Sequence, residues 1–143
     1  MIVSLNLRTS VHATEVNERV VKALMELLPE DLRNNVTVEV GSHEGYYGNP
    51  IEVLTVNIRD PQAAARTLNY ILSRLGENGR RLLWETLEER VESSGDLYFR
   101  VNKQKAYLGS LEVDEGDDVV RVHVRFSGGR RKALAYYREA LKS

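Results

Sequence analysis

From Ile2 to His12 the chain alternates. Val3, Leu5, Leu7, Thr9 and Val11 share one parity, and Ser4, Asn6, Arg8, Ser10 and His12 share the other. A period of two belongs to a β-strand with one buried and one wet face. An apolar first strand of this kind is expected inside a sheet rather than at its margin. The pattern returns at Val36, Val38 and Val40, at Leu97, Phe99 and Val101, and at Val120, Val122, Val124 and Phe126. Ile51 to Ile58 is apolar on both parities, which predicts a central strand.

Between these strands the spacing changes to that of helices. Thr14 is the expected N-cap of a first helix, with Glu15 and Glu18 in its first turn and Val16, Val20, Leu24 and Leu27 along its buried stripe. Asp60-Pro61 predicts a second start, a capping carboxylate followed by proline at the first helical position. Ala64, Leu68, Ile71, Leu72 and Leu75 form the stripe of that helix, and Gly76 ends it. Further helices are predicted from Gly79 to Val91 and from Arg130 to Lys142. A short helical turn is expected at Lys103 to Tyr107, a brief pairing at Leu111 and Val113, and an acidic turn at Asp114 to Asp118. Adjacent strands joined by short loops imply mainly antiparallel pairing. The expected fold is a single α+β domain over 1–143, a two-layer sandwich with helices on one face of the sheet.

If the apolar parity of each strand meets the helices, the other parity is left open. The first strand then contributes Asn6, Arg8, Ser10 and His12. The Leu97 strand contributes Tyr98, Arg100 and Asn102, and the last strand Arg121, His123 and Arg125. These residues include no acid. Guanidinium pairs bidentately with phosphate, and aromatic rings stack unpaired bases, so the face suits RNA. The competing reading is a merely polar strand face.

Composition changes this picture in one respect. The chain has 143 residues and a net charge of −1, so a cationic surface must be local rather than global. Absent cysteine excludes disulfides, thiolate zinc sites and cysteine nucleophiles. No charged leader precedes an apolar block, and no run approaches the ~20 apolar residues of a membrane span. A cytoplasmic location is the default expectation, with neither membrane nor cofactor involved.

Two other segments carry candidate contacts. Ser127-Gly128-Gly129-Arg130-Arg131-Lys132 places three cations at a helix N-terminus, where an anion would offset them; a phosphate seat with Arg130 and Arg131 is the expectation. The loop Ser42 to Pro50 sets Tyr46, Tyr47 and Asn49 among glycines on a polar stretch. It lacks the Gly-Lys-Ser/Thr of a nucleotide-binding P-loop.

Three spaced motifs carry a family resemblance: Arg8-Thr9 with Val11-His12-Ala13-Thr14-Glu15, then Gly45-Tyr46-Tyr47-Gly48-Asn49-Pro50-Ile51, then Lys103-Gln104-Lys105-Ala106-Tyr107-Leu108-Gly109. Together they resemble an archaeal family of small RNA-binding proteins and predicted exosome subunits. The resemblance implies a fold like large-subunit ribosomal protein five and non-catalytic RNA binding. It also implies protein partners in an RNA-processing complex, and a homodimer is among the assemblies allowed. Lys103 and Lys105 would then extend the basic track of Arg100, while Gln104 and Asn49 offer amide edges to a base or 2′-hydroxyl.

Other chemistries are weighed against it. His12 and His123 on one face could act as base and acid of a metal-free ribonuclease. A metal site from His12, His43 and His123 lacks any HxH or HExxH spacing, and serine-histidine-aspartate catalysis lacks a nucleophile elbow. A protein adaptor using Tyr98, Tyr107, Tyr136 and Tyr137 is the remaining class.

Overall fold

The computed structural model describes residues 1–44 and 50–142. One sheet contains β1 (Ile2–Val11), β2 (Val38–Glu44), β3 (Pro50–Ile58), β4 (Leu97–Asn102) and β5 (Val119–Phe126). Their order is β2-β3-β1-β5-β4, and every neighbouring pair is antiparallel. The alternating first strand is the middle of the sheet, laddered on both sides, with Leu5 and Leu7 fully buried. β3 lies between β2 and β1, as its apolar character predicted. The short pairing is present as a bridge from Val101 to Val113.

The helices are α1 (Asn17–Glu26), α2 (Pro61–Arg74), α3 (Gly76–Arg90), α4 (Lys103–Tyr107) and α5 (Arg130–Lys142), with a 3-10 turn at Glu30–Leu32. Their stripes meet the apolar parity of the strands, so Leu24, Leu68, Ile71, Leu83 and Tyr137 join Leu54, Val56, Phe99 and Val122 in one core. The two-layer sandwich is the observed fold. Asp60 caps α2 as expected, accepting from the Ala63 N–H at 2.9 Å. Gly76 adopts φ +75°, a conformation open to glycine, and lets α3 start directly after α2. Gly95, at φ +98°, packs so closely under α5 that a Cβ there would meet the Ala133 side chain at 3.0 Å. Its carbonyl accepts the Tyr137 hydroxyl at 2.8 Å. Burial pushes the Tyr137 phenol well up from its ordinary value.

The first helix departs from expectation. Thr14 does not cap it; Val16 holds the cap position without a side-chain hydrogen bond. The cause is Glu15, whose carboxylate accepts the His12 N–H at 2.8 Å and the Lys103 ammonium at 2.8 Å. Lys103 itself is buried. Its ammonium donates to Glu15 and to the Ser10 carbonyl at 2.7 Å, and it forms an ion pair with Asp118 at 2.9 Å. One side chain thus ties together the end of β1, the approach to α1, the start of α4 and the entry to β5.

Removing one member of a buried ion cluster leaves its partners uncompensated. Lys103→Ala is therefore expected to lower stability by about 3 kcal/mol, measured by urea unfolding. The cluster also predicts acid sensitivity. Desolvation is the largest single influence on Glu15 and on Asp118 and acts to raise both, but the hydrogen bonds and charge of Lys103 bring both below their ordinary values. Carboxylates depressed on folding stabilise the native state above their unfolded pKa, and that contribution fades as pH falls through the folded values. Urea midpoints are expected to hold steady down to about pH 5 and then decline, more steeply in the wild type than in Lys103→Met.

Candidate nucleic-acid interface

Register decides which open-face side chains become neighbours. Arg8 of β1 stands opposite Arg121 of β5, and Arg121 opposite Arg100 of β4. Three guanidinium-bearing residues from distant parts of the chain are therefore abreast on adjacent strands. Like charges directly opposite one another in a sheet are destabilising, so this row is held against its own repulsion. Arg8 and Arg121 are exposed and have no hydrogen-bond or ion-pair partner among the described residues. Arg100 is partly engaged, donating to the carbonyls of Glu115 at 3.3 Å and Gly116 at 3.2 Å.

The next row along the strands is Asn57, Asn6, His123 and Tyr98. Tyr98 is 40% exposed, and its ring stacks on His123 with centroids 4.2 Å apart and planes 12° from parallel. His123 is held from behind: its Nε2 lies 2.8 Å from Asp96, which also accepts the Phe126 N–H at 3.1 Å. Desolvation would raise the Asp96 carboxyl, but these two partners outweigh it and hold the group below its usual value. An anionic Asp96 fixes the imidazole, and the imidazole fixes the tyrosine. The stacked pair forms a wall on the open face. On one side lies a groove of about 690 Å³ between α3 and β4, lined by Arg90, Arg100 and Arg121 together with Glu89, Glu92 and Glu115. Arg90 is ion-paired to Glu115 within it. The other side is a groove of about 540 Å³ over β1, β3 and β5, which includes Arg125.

Arg8, Arg100, Arg121 and Arg125 therefore share the face assigned to them by parity. The remaining expected contacts do not all join it. His12 lies past the end of β1, 3.5 Å from Asp118. Lys103 does not extend the basic track, because it is buried in the cluster that holds β1 to α4. Gln104 turns its amide to Glu15 and Asp118, at 3.2 and 3.0 Å, and Lys105 pairs with Glu112 at 2.9 Å. The expected phosphate seat before α5 loses one of its cations. Arg130 folds back to donate to the Val91 and Glu88 carbonyls at the end of α3, at 3.1 and 2.8 Å, where a cation complements the helix dipole. Arg131 is exposed. Tyr46, Tyr47 and Asn49 lie outside the described residues.

The geometry also separates the rival chemistries. His123 stands opposite Asn6, six positions along β1 from His12, which is roughly 20 Å at the rise of an extended strand. Two imidazoles that far apart cannot flank one phosphate, and they cannot share a metal. Among the described residues one group of metal-competent side chains converges, His12, Glu15 and Asp118. The Lys103 ammonium already occupies the centre of its charge. Of the adaptor tyrosines, Tyr137 is core, Tyr107 is covered by the Lys22 ammonium 4.7 Å from its ring, and Tyr136 packs on Phe126.

Asn57 and Arg59 belong to the open face and escaped the sequence reading. Reading β3 as apolar on both sides hid them, although Thr55, Asn57 and Arg59 keep a single polar parity.

Comparison with known proteins fits this surface. A family model described as RNA binding matches residues 4–126. An RNA-binding protein of Pyrococcus abyssi is 41% identical over 123 residues, covering 85% of this chain and 80% of that protein. An uncharacterized protein of Methanocaldococcus jannaschii is 33% identical, covering 88% and 85%. Among solved structures, a DUF54 protein from Archaeglobus fulgidus superposes with a TM-score of 0.85 at 31% identity, covering 98% of this chain and 99% of that one. A match of this extent, with relatives of this identity, places the chain in the archaeal RNA-binding family that its three motifs resemble.

Proposed function

We propose that this protein binds RNA non-catalytically on the open face of its sheet, through phosphates and unpaired bases. The observation that carries the reading is the register that sets Arg8, Arg121 and Arg100 abreast. A phosphodiester backbone supplies the negative charge that offsets such a row, and guanidinium presents it with a matching fork of donors. Arg125 and Arg131 add exposed positive charge on this reading, and Tyr98, braced by His123 and Asp96, offers a ring on which an unpaired base can stack. Tyr46, Tyr47 and Asn49 belong to the proposed contact set on the strength of the sequence. The name of the Pyrococcus relative and the family description support RNA as the ligand class.

The setting we infer is an archaeal RNA-processing or degradation complex such as the exosome, in the cytoplasm, with the fold related to large-subunit ribosomal protein five. The family resemblance is the support for the complex and for the fold relation, and the cytoplasmic location is the default expectation of the sequence. No described helix is long and apolar enough to cross a membrane.

Binding of short single-stranded RNA, titrated against salt, tests the reading. Affinity is expected to fall steeply with added salt, and Arg8→Ala with Arg121→Ala to reduce the slope by roughly 0.7 per arginine. These two residues suit the test because, unlike Arg100, neither has a hydrogen-bond or ion-pair partner among the described residues. Salt-insensitive binding, or full-strength binding by the folded double variant, would refute the arginine row as the RNA site. Tyr98→Ala is expected to weaken binding by about 1–3 kcal/mol with the salt slope unchanged, as loss of one stacked base should.

A further inference from the structure

The groove on the far side of the Tyr98–His123 wall differs from its neighbour in chemistry. Its lining includes Ser4, Asn6, Asn57, Arg59, His123 and Arg125, with no carboxylate among the lining residues. The groove beside α3, by contrast, has three glutamates. At its floor Asn6 and Asn57 face each other across β1 and β3, and the Asn6 amide donates to the Asn57 carbonyl. Both are half-buried, so the pair is set rather than waving in solvent.

Two primary amides bring two carbonyl oxygens and four N–H groups. One hydrogen bond between them occupies one N–H and one lone pair. Three N–H groups, the Asn6 carbonyl oxygen and one lone pair of the Asn57 oxygen are left for a partner that presents the complementary pattern. The edge of a nucleobase is such a partner, and amide side chains pair bidentately with bases. Arg59 and Arg125 lie in the same groove, exposed and without hydrogen-bond or ion-pair partners among the described residues. They are placed to take the phosphates on either side. The volume, about 540 Å³, is of the size that holds one small organic ligand.

Resting on the RNA-binding reading, we infer that this groove is a base-reading subsite: one unpaired nucleotide docks its base edge on the Asn6–Asn57 amide pair while Arg59 and Arg125 hold its phosphates. The arginine row supplies affinity for any sequence. The amide pair makes the protein discriminate between bases.

Affinities for labelled oligoadenylate, oligocytidylate and oligouridylate of equal length separate these roles. The wild type is expected to prefer one of them by about tenfold, the range of a good amide–base pair. Asn6→Ala and Asn57→Ala should each compress that preference with the salt slope unchanged, circular dichroism verifying the fold. Asn57→Asp replaces a mixed edge by acceptors alone, and should move the preference away from uracil and toward adenine and cytosine, which present an amino group. Arg125→Ala should weaken all three oligonucleotides equally and lower the salt slope. Equal, salt-sensitive binding of all three by the wild type would overturn the subsite and leave the RNA-binding reading standing, as would a preference that survives all three asparagine substitutions. Absence of binding to any of them would remove both.

Discussion

The ladder between β1 and β5 is the constraint from which the rest follows. β1 is the middle strand, and β5 brings β4 with it, so one choice of register fixes the neighbours of every side chain on three strands. Because side chains alternate with a period of two, a slip of one residue would invert one strand against the other, sending either Leu5 and Leu7 or Val122 and Val124 to the open face and that strand's arginines into the core. Core burial therefore enforces the very register that sets Arg8 beside Arg121. The repulsion within the arginine row is small compared with the penalty of inverting the core, and the fold can sustain it.

The Lys103 cluster controls the ends of that ladder. It joins the last residues of β1 to α4 and to the approach of β5, segments separated by about ninety residues in the chain (Lys103 to Ser10 spans 93 positions). A buried ion cluster adds little net stability compared with an apolar replacement of the same shape, but it tolerates few alternative arrangements. The strand ends are thereby aligned where the motifs Val11-His12-Ala13-Thr14-Glu15 and Lys103-Gln104-Lys105 meet. Two of the three motifs that carry the family resemblance are thus, in this fold, parts of one structural joint. Their shared role in holding the sheet explains why Lys103, which has the look of an RNA contact, faces inward and why Gln104 is bonded to Glu15 and Asp118.

Parity made much of the fold legible in the sequence. The alternation at Ile2 to His12 and at Val120 to Phe126 identified both the strands and their wet sides, and Asp60-Pro61 marked the start of α2. What parity could not carry was anything dependent on distance across the chain. Lys103 and Arg130 read as free cations because their partners, Glu15 and Asp118 for one and the Glu88 and Val91 carbonyls for the other, are remote in sequence. Thr14 looked like a cap for the same reason, since Glu15 is diverted by Lys103. Asn57 and Arg59 were missed on a strand whose apolar run masked its polar side.

These corrections narrow the cationic surface and sharpen it. Lys103 and Arg130 are held by internal partners and Lys105 pairs with Glu112, so among the cations expected to meet RNA the ones without a hydrogen-bond or ion-pair partner among the described residues are Arg8, Arg121 and Arg125 on the open sheet, with Arg131 on α5. Desolvation and pairing have been settled within the fold for Lys103 and Arg130, whereas Arg8, Arg121, Arg125 and Arg59 have no hydrogen-bond or ion-pair partner among the described residues. A chain with a net charge of −1 can bind a polyanion under those conditions, because association responds to the local field over a Debye length, about 10 Å at moderate salt, more than to the total. The Tyr98–His123–Asp96 stack then divides that field into two grooves of unlike character, one acid-lined and one acid-free. A flexible polyanion crossing the face would meet its most favourable seat over β1 and β3, where amides, and not only charges, are waiting.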